Sequence, residues 1–149
     1  MLAERERLRR TGKKVVFTNG CFDIVHAGHA STMAFAKQQG DFLIVGLNSD
    51  ASVRRLKGDK RPVVAERHRA ALIAAFESVD YVVLFDETEV DTLVGELKPD
   101  VLVKGMDCAG NIVGREHVEV YGGKVVAAPF VEGLSTSNII AKILDAYKS

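Results

Sequence analysis

Apolar residues in this chain gather into short unbroken runs, and between the runs they recur at helical spacing. The runs are Val15-Val16-Phe17, Phe42 through Leu47, Tyr81 through Phe85, Asp100-Val101-Leu102-Val103, and Lys124 through Ala128. Apolar but for Asp100 and Lys124 at two of their starts, they read as strands covered on both faces. Between them the period lengthens. Met33, Phe35 and Ala36 predict a helix closed by Gly40, and Ala51 to Leu56 a short one capped from Asn48-Ser49-Asp50. Ala70, Leu72, Ile73 and Phe76 give Glu66 to Phe76 an apolar side, and Val90, Leu93, Val94 and Leu97 mark a helix ended by Pro99. Glu116 to Tyr121 reads as a short helix stopped by Gly122-Gly123, and Ile139, Ile140, Ile143 and Leu144 as the stripe of a last one after Ser135-Thr136-Ser137. Strands alternating with helices predict an α/β fold: one Rossmann-like, doubly wound domain with a five-stranded parallel sheet and helices on both faces.

The domain is expected over residues 14–149, behind a charged segment, 1–13. Residues Ala3 to Arg10 alternate charge at helical spacing and read as a solvated helix or ordered tail with surface arginines. Ligands of such sheets bind beyond the carboxyl ends of the strands. The loops carrying His26, Asn48, Lys104 to Asp107 and Ser135 all follow strands, so they are expected on one edge.

On that edge the chemistry concentrates in Val15 through Ser31, VVFTNGCFDIVHAGHAS. A strand, a tight loop and a helix start follow each other there. The first amides of a helix and its positive dipole end attract anions. His26 and His29, three apart, project from one side of that first turn, and Gly28 leaves room for an anion at the backbone. Surface decoration or a metal pair are the other readings; no Cys or acidic cluster completes a metal spacing, so no metal ligands are assigned.

Composition narrows the partners. The chain has 149 residues, with 20 Lys and Arg against 20 Asp and Glu, so no net field draws it to nucleic acid or membrane. No apolar run approaches the roughly 20 residues of a membrane helix, and MLAERERLRR lacks the apolar core of a secretory signal. The two cysteines, Cys21 and Cys108, suit free thiols in a reducing cytoplasm, the expected location. No His/Asn pattern accompanies Cys21 to make it a nucleophile.

Gly20-Cys21-Phe22-Asp23 followed by His26-Ala27-Gly28-His29 resembles the signature of the HIGH-type nucleotidyltransferases. A narrower resemblance, from about Lys14 to Leu144, is to the heptose 1-phosphate adenylyltransferases. It rests on Asn19 through Asp23, on Ser49 to Val53 continuing to Arg55-Leu56-Lys57-Gly58 and Arg61-Pro62-Val63, on Val103-Lys104-Gly105 with Asp107, and on Ser135 through Ile140. The resemblance implies AMP transfer from ATP, with Mg²⁺, to heptose 1-phosphate, supplying a lipopolysaccharide core precursor, and it makes a homodimer the expected assembly. It also implies roles. His26, His29 and Lys57 would be catalytic; Cys21, Phe22, Gly28, Gly105, Asp107, Ser135, Thr136 and Ser137 would hold the nucleotide; Asn19, Asp23 and Lys104 would hold the acceptor. Several have plainer readings: Lys57 as part of a solvated basic loop, Ser135 as an N-cap, Asp23 as a loop cap, Lys104 as an ordinary strand-end cation. Cytidylyl transfer to glycerol 3-phosphate or a similar ester, and a non-catalytic nucleotide-binding module, are the alternatives.

Overall fold

The computed structural model describes residues 1–88, 90–105, 112–129 and 131–148. Five parallel strands, β1 (Val15–Gly20), β2 (Phe42–Asn48), β3 (Tyr81–Phe85), β4 (Val101–Gly105) and β5 (Lys124–Ala128), lie in the order β3-β2-β1-β4-β5. The helices are α1 (Leu2–Arg10), α2 (Ala27–Lys37), α3 (Asp50–Lys57), α4 (Glu66–Ala74), α5 (Asp91–Leu97), α6 (Arg115–Val120) and α7 (Thr136–Ala146). The doubly wound α/β architecture expected from the apolar runs is the one observed.

Alternation along the strands sorts two cores. Val15, Phe17, Ile44 and Leu102 face α1, α5 and α6 through Leu8, Val94, Leu97 and Val118. Val16, Leu43, Val45, Leu47, Val101 and Val103 face the other way, onto Met33 and Ala36 of α2 and Ile73 of α4. Gly46 in β2 is glycine because the Phe17 ring lies over it; a Cβ there would stand 2.6 Å from the ring edge.

The end of the sheet where the strands begin is fastened by aspartates. Asp41 Oδ2 accepts the Lys14 amide at 2.8 Å, Asp80 Oδ2 the Leu43 amide at 2.7 Å, and Asp100 Oδ2 the Val15 amide at 2.7 Å. Each of these aspartates immediately precedes one strand and caps the start of its neighbour, so each ties adjacent strands in register.

Two expectations are corrected. The first helix is not solvated all round: Arg5 is buried, donating to the carbonyls of Leu97 at 3.1 Å and Lys98 at 2.8 Å and to Asp100 at 3.1 Å, with Leu8 inside the core beside it. Its guanidinium satisfies carbonyls that the end of α5 would otherwise leave unpaired. Lys57, expected in a loop, is the last residue of α3, which stops at Gly58 with φ of 88°. α7 forms as expected, yet none of its residues is fully buried; Ile143 and Leu144 stay exposed.

Replacing Arg5 with Ala should lower the free energy of unfolding by about 1–3 kcal/mol, the cost of stranded acceptors. A urea titration should show a lower midpoint with an unchanged slope.

Candidate active site: two helix starts and an imidazole pair at the sheet edge

β1 and β4 flank the point where the chain reverses its winding, and they pair only at Val16 with Val101 and Phe17 with Leu102. Beyond those pairs the strands part, which is where open α/β sheets hold ligands. Asn19 and Lys104, each one residue from its strand's end, span the gap, with the Lys104 ammonium donating to Asn19 Oδ1. The cleft that opens here has a volume of about 450 Å³. Asn19, Cys21, Phe22, Asp23, His26, Gly28, His29, Lys57, Lys104, Gly105, Ser135, Thr136 and Ser137 all line it. Asp107 lies outside the described residues.

His26 is the N-cap of α2 and His29 its third residue. Their rings stack at 3.8 Å between centroids and 22° between planes. The His26 backbone N–H donates to His29 Nδ1 at 3.3 Å. A neutral His29 with Nδ1 accepting carries its proton on Nε2. The Nδ1 of His26 is buried without a hydrogen-bond partner among the described residues, and burial holds this imidazole's pKa below the usual histidine value. A bare ring nitrogen is a smaller loss there than an unpaired N–H, so this proton too belongs on Nε2. Two neutral rings thus stand ready as donors.

Their surroundings fix them. Phe22 packs edge-on to His29, with centroids 5.2 Å apart, from a left-handed backbone with φ of 46°. Such a backbone is costly for an aromatic residue and persists only where packing enforces it. Gly28 leaves room for the His26 ring: a Cβ would stand 3.0 Å from Nδ1 and Cε1 of His26, so the imidazole would have to give way.

α7 supplies a second helix start beside the first. Ser135 accepts the Asn138 amide at 3.0 Å, confirming its role as N-cap. Thr136 Oγ1 donates to the Ile24 carbonyl at 3.4 Å, bringing this turn against the loop before α2. The first amides of both helices have no partner within their own helix. Neighbouring amides and imidazole N–H groups make a receptor for a chain of phosphates.

Asp23 turns away from this receptor. Its carboxylate accepts the amides of Val63 (2.8 and 2.9 Å) and Val64 (2.8 Å) and pairs with Arg61. Burial opposes its ionisation, but the two amides and the guanidinium prevail and keep its pKa below the ordinary carboxylate value. With the folded value depressed, its stabilising contribution is present above the unfolded-state pKa and is lost as pH falls through the folded one. The loop-cap reading of Asp23 is the geometry observed. Burial raises the Cys21 thiol, against the pull of Lys57, Arg69 and Arg61, which is the reverse of an activated nucleophile.

The sequence reading missed Arg69. Its side chain is wholly buried beneath the cleft and donates to the carbonyls of Cys21 (2.5 Å), Asn48 (2.8 Å) and Val64 (2.8 Å) and to Asp50 (2.7 Å). Asp50 and Glu66 each accept the other's backbone amide, at 2.9 and 2.6 Å, joining the starts of α3 and α4. The sequence held one signal, that Arg69 lies four residues before buried Ile73 and so on the same side of α4. Arg61, one of the residues that carry the family resemblance but given no role of its own, lies on the cleft wall. Among the described residues no cluster of His, Cys, Asp or Glu could cage a metal ion.

A cytidylyltransferase-like family model matches residues 17–142. The chain belongs to the cytidylyltransferase-like family. It is by class a nucleotidyltransferase. Among its curated relatives is the bifunctional protein HldE of Geobacter metallireducens, 55% identical over 98% of this chain and 30% of that protein. The bifunctional protein HldE of Pelobacter propionicus is 52% identical over 99% of this chain, again 30% of that protein. The chain thus spans about a third of the length of these relatives. Of solved structures, the lipopolysaccharide core biosynthesis protein of Thermoplasma volcanium is 31% identical with a TM-score of 0.65, over 80% of this chain and 98% of that one. Pantothenate synthetase of Thermus thermophilus shares the fold, with a TM-score of 0.66 at 18% identity over 93% of this chain and 65% of that one.

Two substitutions test the site's construction. Gly28→Ala should leave the thermal midpoint of this cytidylyltransferase-like domain intact, because Ala is the better helix former. Turnover should fall by about one to two orders of magnitude as the His26 ring is displaced. Arg69→Met should cost about 3–5 kcal/mol in chemical denaturation, since Asp50 and three carbonyls lose their donor.

Proposed function

We propose that this chain transfers AMP from ATP to D-glycero-β-D-manno-heptose 1-phosphate, releasing pyrophosphate and forming ADP-heptose for lipopolysaccharide core synthesis. The observation that carries this reading is the stacked His26–His29 pair, which opens one helix start directly beside another. The relatives named HldE and the solved lipopolysaccharide core protein support the choice of sugar.

A phosphate oxygen of the acceptor attacks the α-phosphorus, the bond to the bridging oxygen breaks, and pyrophosphate leaves on the opposite side. The acceptor needs no strong general base, because a phosphate monoester is largely dianionic at neutral pH, its second pKa being about 6. Alignment and charge stabilisation are what remain for the protein to supply. His26 and His29 donate from Nε2 to the α- and β-phosphates as negative charge shifts toward pyrophosphate. The amides of Thr136 and Ser137, with their hydroxyls, receive the β- and γ-phosphates, while Ser135 shapes the turn as its cap. Lys57, at the end of α3, folds over the phosphates from the β2 flank on its long flexible stem and neutralises the departing pyrophosphate. Cys21, Phe22 and Gly105 present backbone to the nucleoside, the role beside its ribose or base falls to Asp107, and Asn19 and Lys104 face the acceptor. Mg²⁺ enters on the triphosphate as part of the substrate. The described residues suit that, since the one carboxylate they bring to the cleft, Asp23, is engaged by Arg61 and two amides. No described helix is long and apolar enough to cross a membrane. A cytoplasmic homodimer is the setting we infer.

Pyrophosphate release measured with ATP and heptose 1-phosphate should far exceed that with CTP and glycerol 3-phosphate. His29→Ala should lower kcat by about 10²–10³-fold. Turnover with the second pair alone, or equal turnover by His29→Ala, overturns the assignment.

A further inference from the structure

The cleft holds a cation that the assignments above leave without a task. Arg61 lies in the segment between α3 and α4, its side chain 14% exposed, and its Nε–H is taken by the wholly buried carboxylate of Asp23. The same carboxylate holds the amides of Val63 and Val64 at 2.8–2.9 Å. Three donors from one four-residue segment therefore converge on a single buried anion, and the guanidinium cannot swing out into solvent. Arg69, by contrast, has every nitrogen occupied by carbonyls or Asp50. The two Nη groups of Arg61 have no hydrogen-bond partner among the described residues. A planar fork, held at its Nε side by a buried carboxylate and free at its Nη side, is the arrangement that takes two oxygens of one phosphate.

Strand order decides which phosphate. α7 follows β5 and the 58–65 segment follows β2, so they flank the β1 loop and His26 from opposite sides. If the triphosphate tail lies on the α2 and α7 starts, in-line displacement brings the attacking oxygen from the other side. That is the side of Arg61. On the reading proposed above, we propose that Arg61 is the residue that binds the acceptor's phosphate, and that Asp23 is the positioning residue that orients it.

Steady-state pyrophosphate release by the full chain, with ATP and heptose 1-phosphate varied independently, tests this. Arg61→Ala should raise the KM for heptose 1-phosphate by about 10²-fold, and leave the affinity for α,β-methylene-ATP, titrated without acceptor, within about twofold. Arg61→Lys should recover only part of the loss, since an ammonium cannot form the fork. Asp23→Asn, which keeps an acceptor for the two amides, should raise the same KM and leave the nucleotide analogue's affinity in place. Should Arg61→Ala fail to fold, the KM ratio of Arg61→Lys to the parent decides. Weakened analogue binding with an unchanged acceptor KM would move Arg61 to the triphosphate and overturn the inference, as would no change in either. If the parent ignores heptose 1-phosphate but uses another sugar or polyol phosphate, the functional reading fails, and the same measurements on that acceptor judge Arg61 separately.

Discussion

The site rests on one buried cation. Arg69 carries its guanidinium on a wholly buried side chain, and it lies beneath a cleft shaped for anions. Its guanidinium gathers the carbonyls of Cys21, Asn48 and Val64, where a strand end and two loops would otherwise leave buried acceptors without donors. Through Asp50 and its exchange of amides with Glu66, the same group fixes where α3 and α4 begin. The histidine loop, the end of β2, the Lys57 helix and the Arg61 segment therefore share a single anchor. Loosening it would shift phosphate-facing groups on both flanks together.

Above that anchor, binding falls mainly to backbone amides and neutral imidazoles. Burial holds the His26 pKa below the usual histidine value and so favours its neutral ring, and stacking on His29 holds both rings to one orientation. Cations stand at the margins, at Lys57, Arg61 and Lys104. The division suits a displacement in which charge moves along a phosphate chain: fixed dipoles line its path and cationic side chains stand around it.

Much of this was legible in the residues, because the governing rules are local. A run such as Phe42 to Leu47 marks a strand covered on both sides, and the other four runs mark its companions, although β3 and β5, at the edges of the sheet, are only partly buried rather than covered as expected. Ser135 ahead of an apolar stripe marks a helix start, as does the turn carrying His26. What escaped depends on contacts distant in the chain. Arg5 and Arg69 look like ordinary surface charges, and only folding reveals that their partners include bare carbonyls, 92 residues away for Arg5 and 21 and 48 residues away for Arg69. Asp23 could be read as facing the acceptor or as a loop cap until its oxygens were seen on Val63 and Val64. Lys57 reads as part of a solvated loop because the glycine after it hides that α3 extends to that residue.

The aspartates at the opposite rim bear on how such a fold changes over time. Asp41, Asp80 and Asp100 each hem one strand to its neighbour, far from any substrate. Alignment of the strands is thereby guaranteed from behind. Loops at the chemical rim are left open to insertion, shortening and exchange, and a new acceptor can be accommodated there without the sheet slipping by a residue.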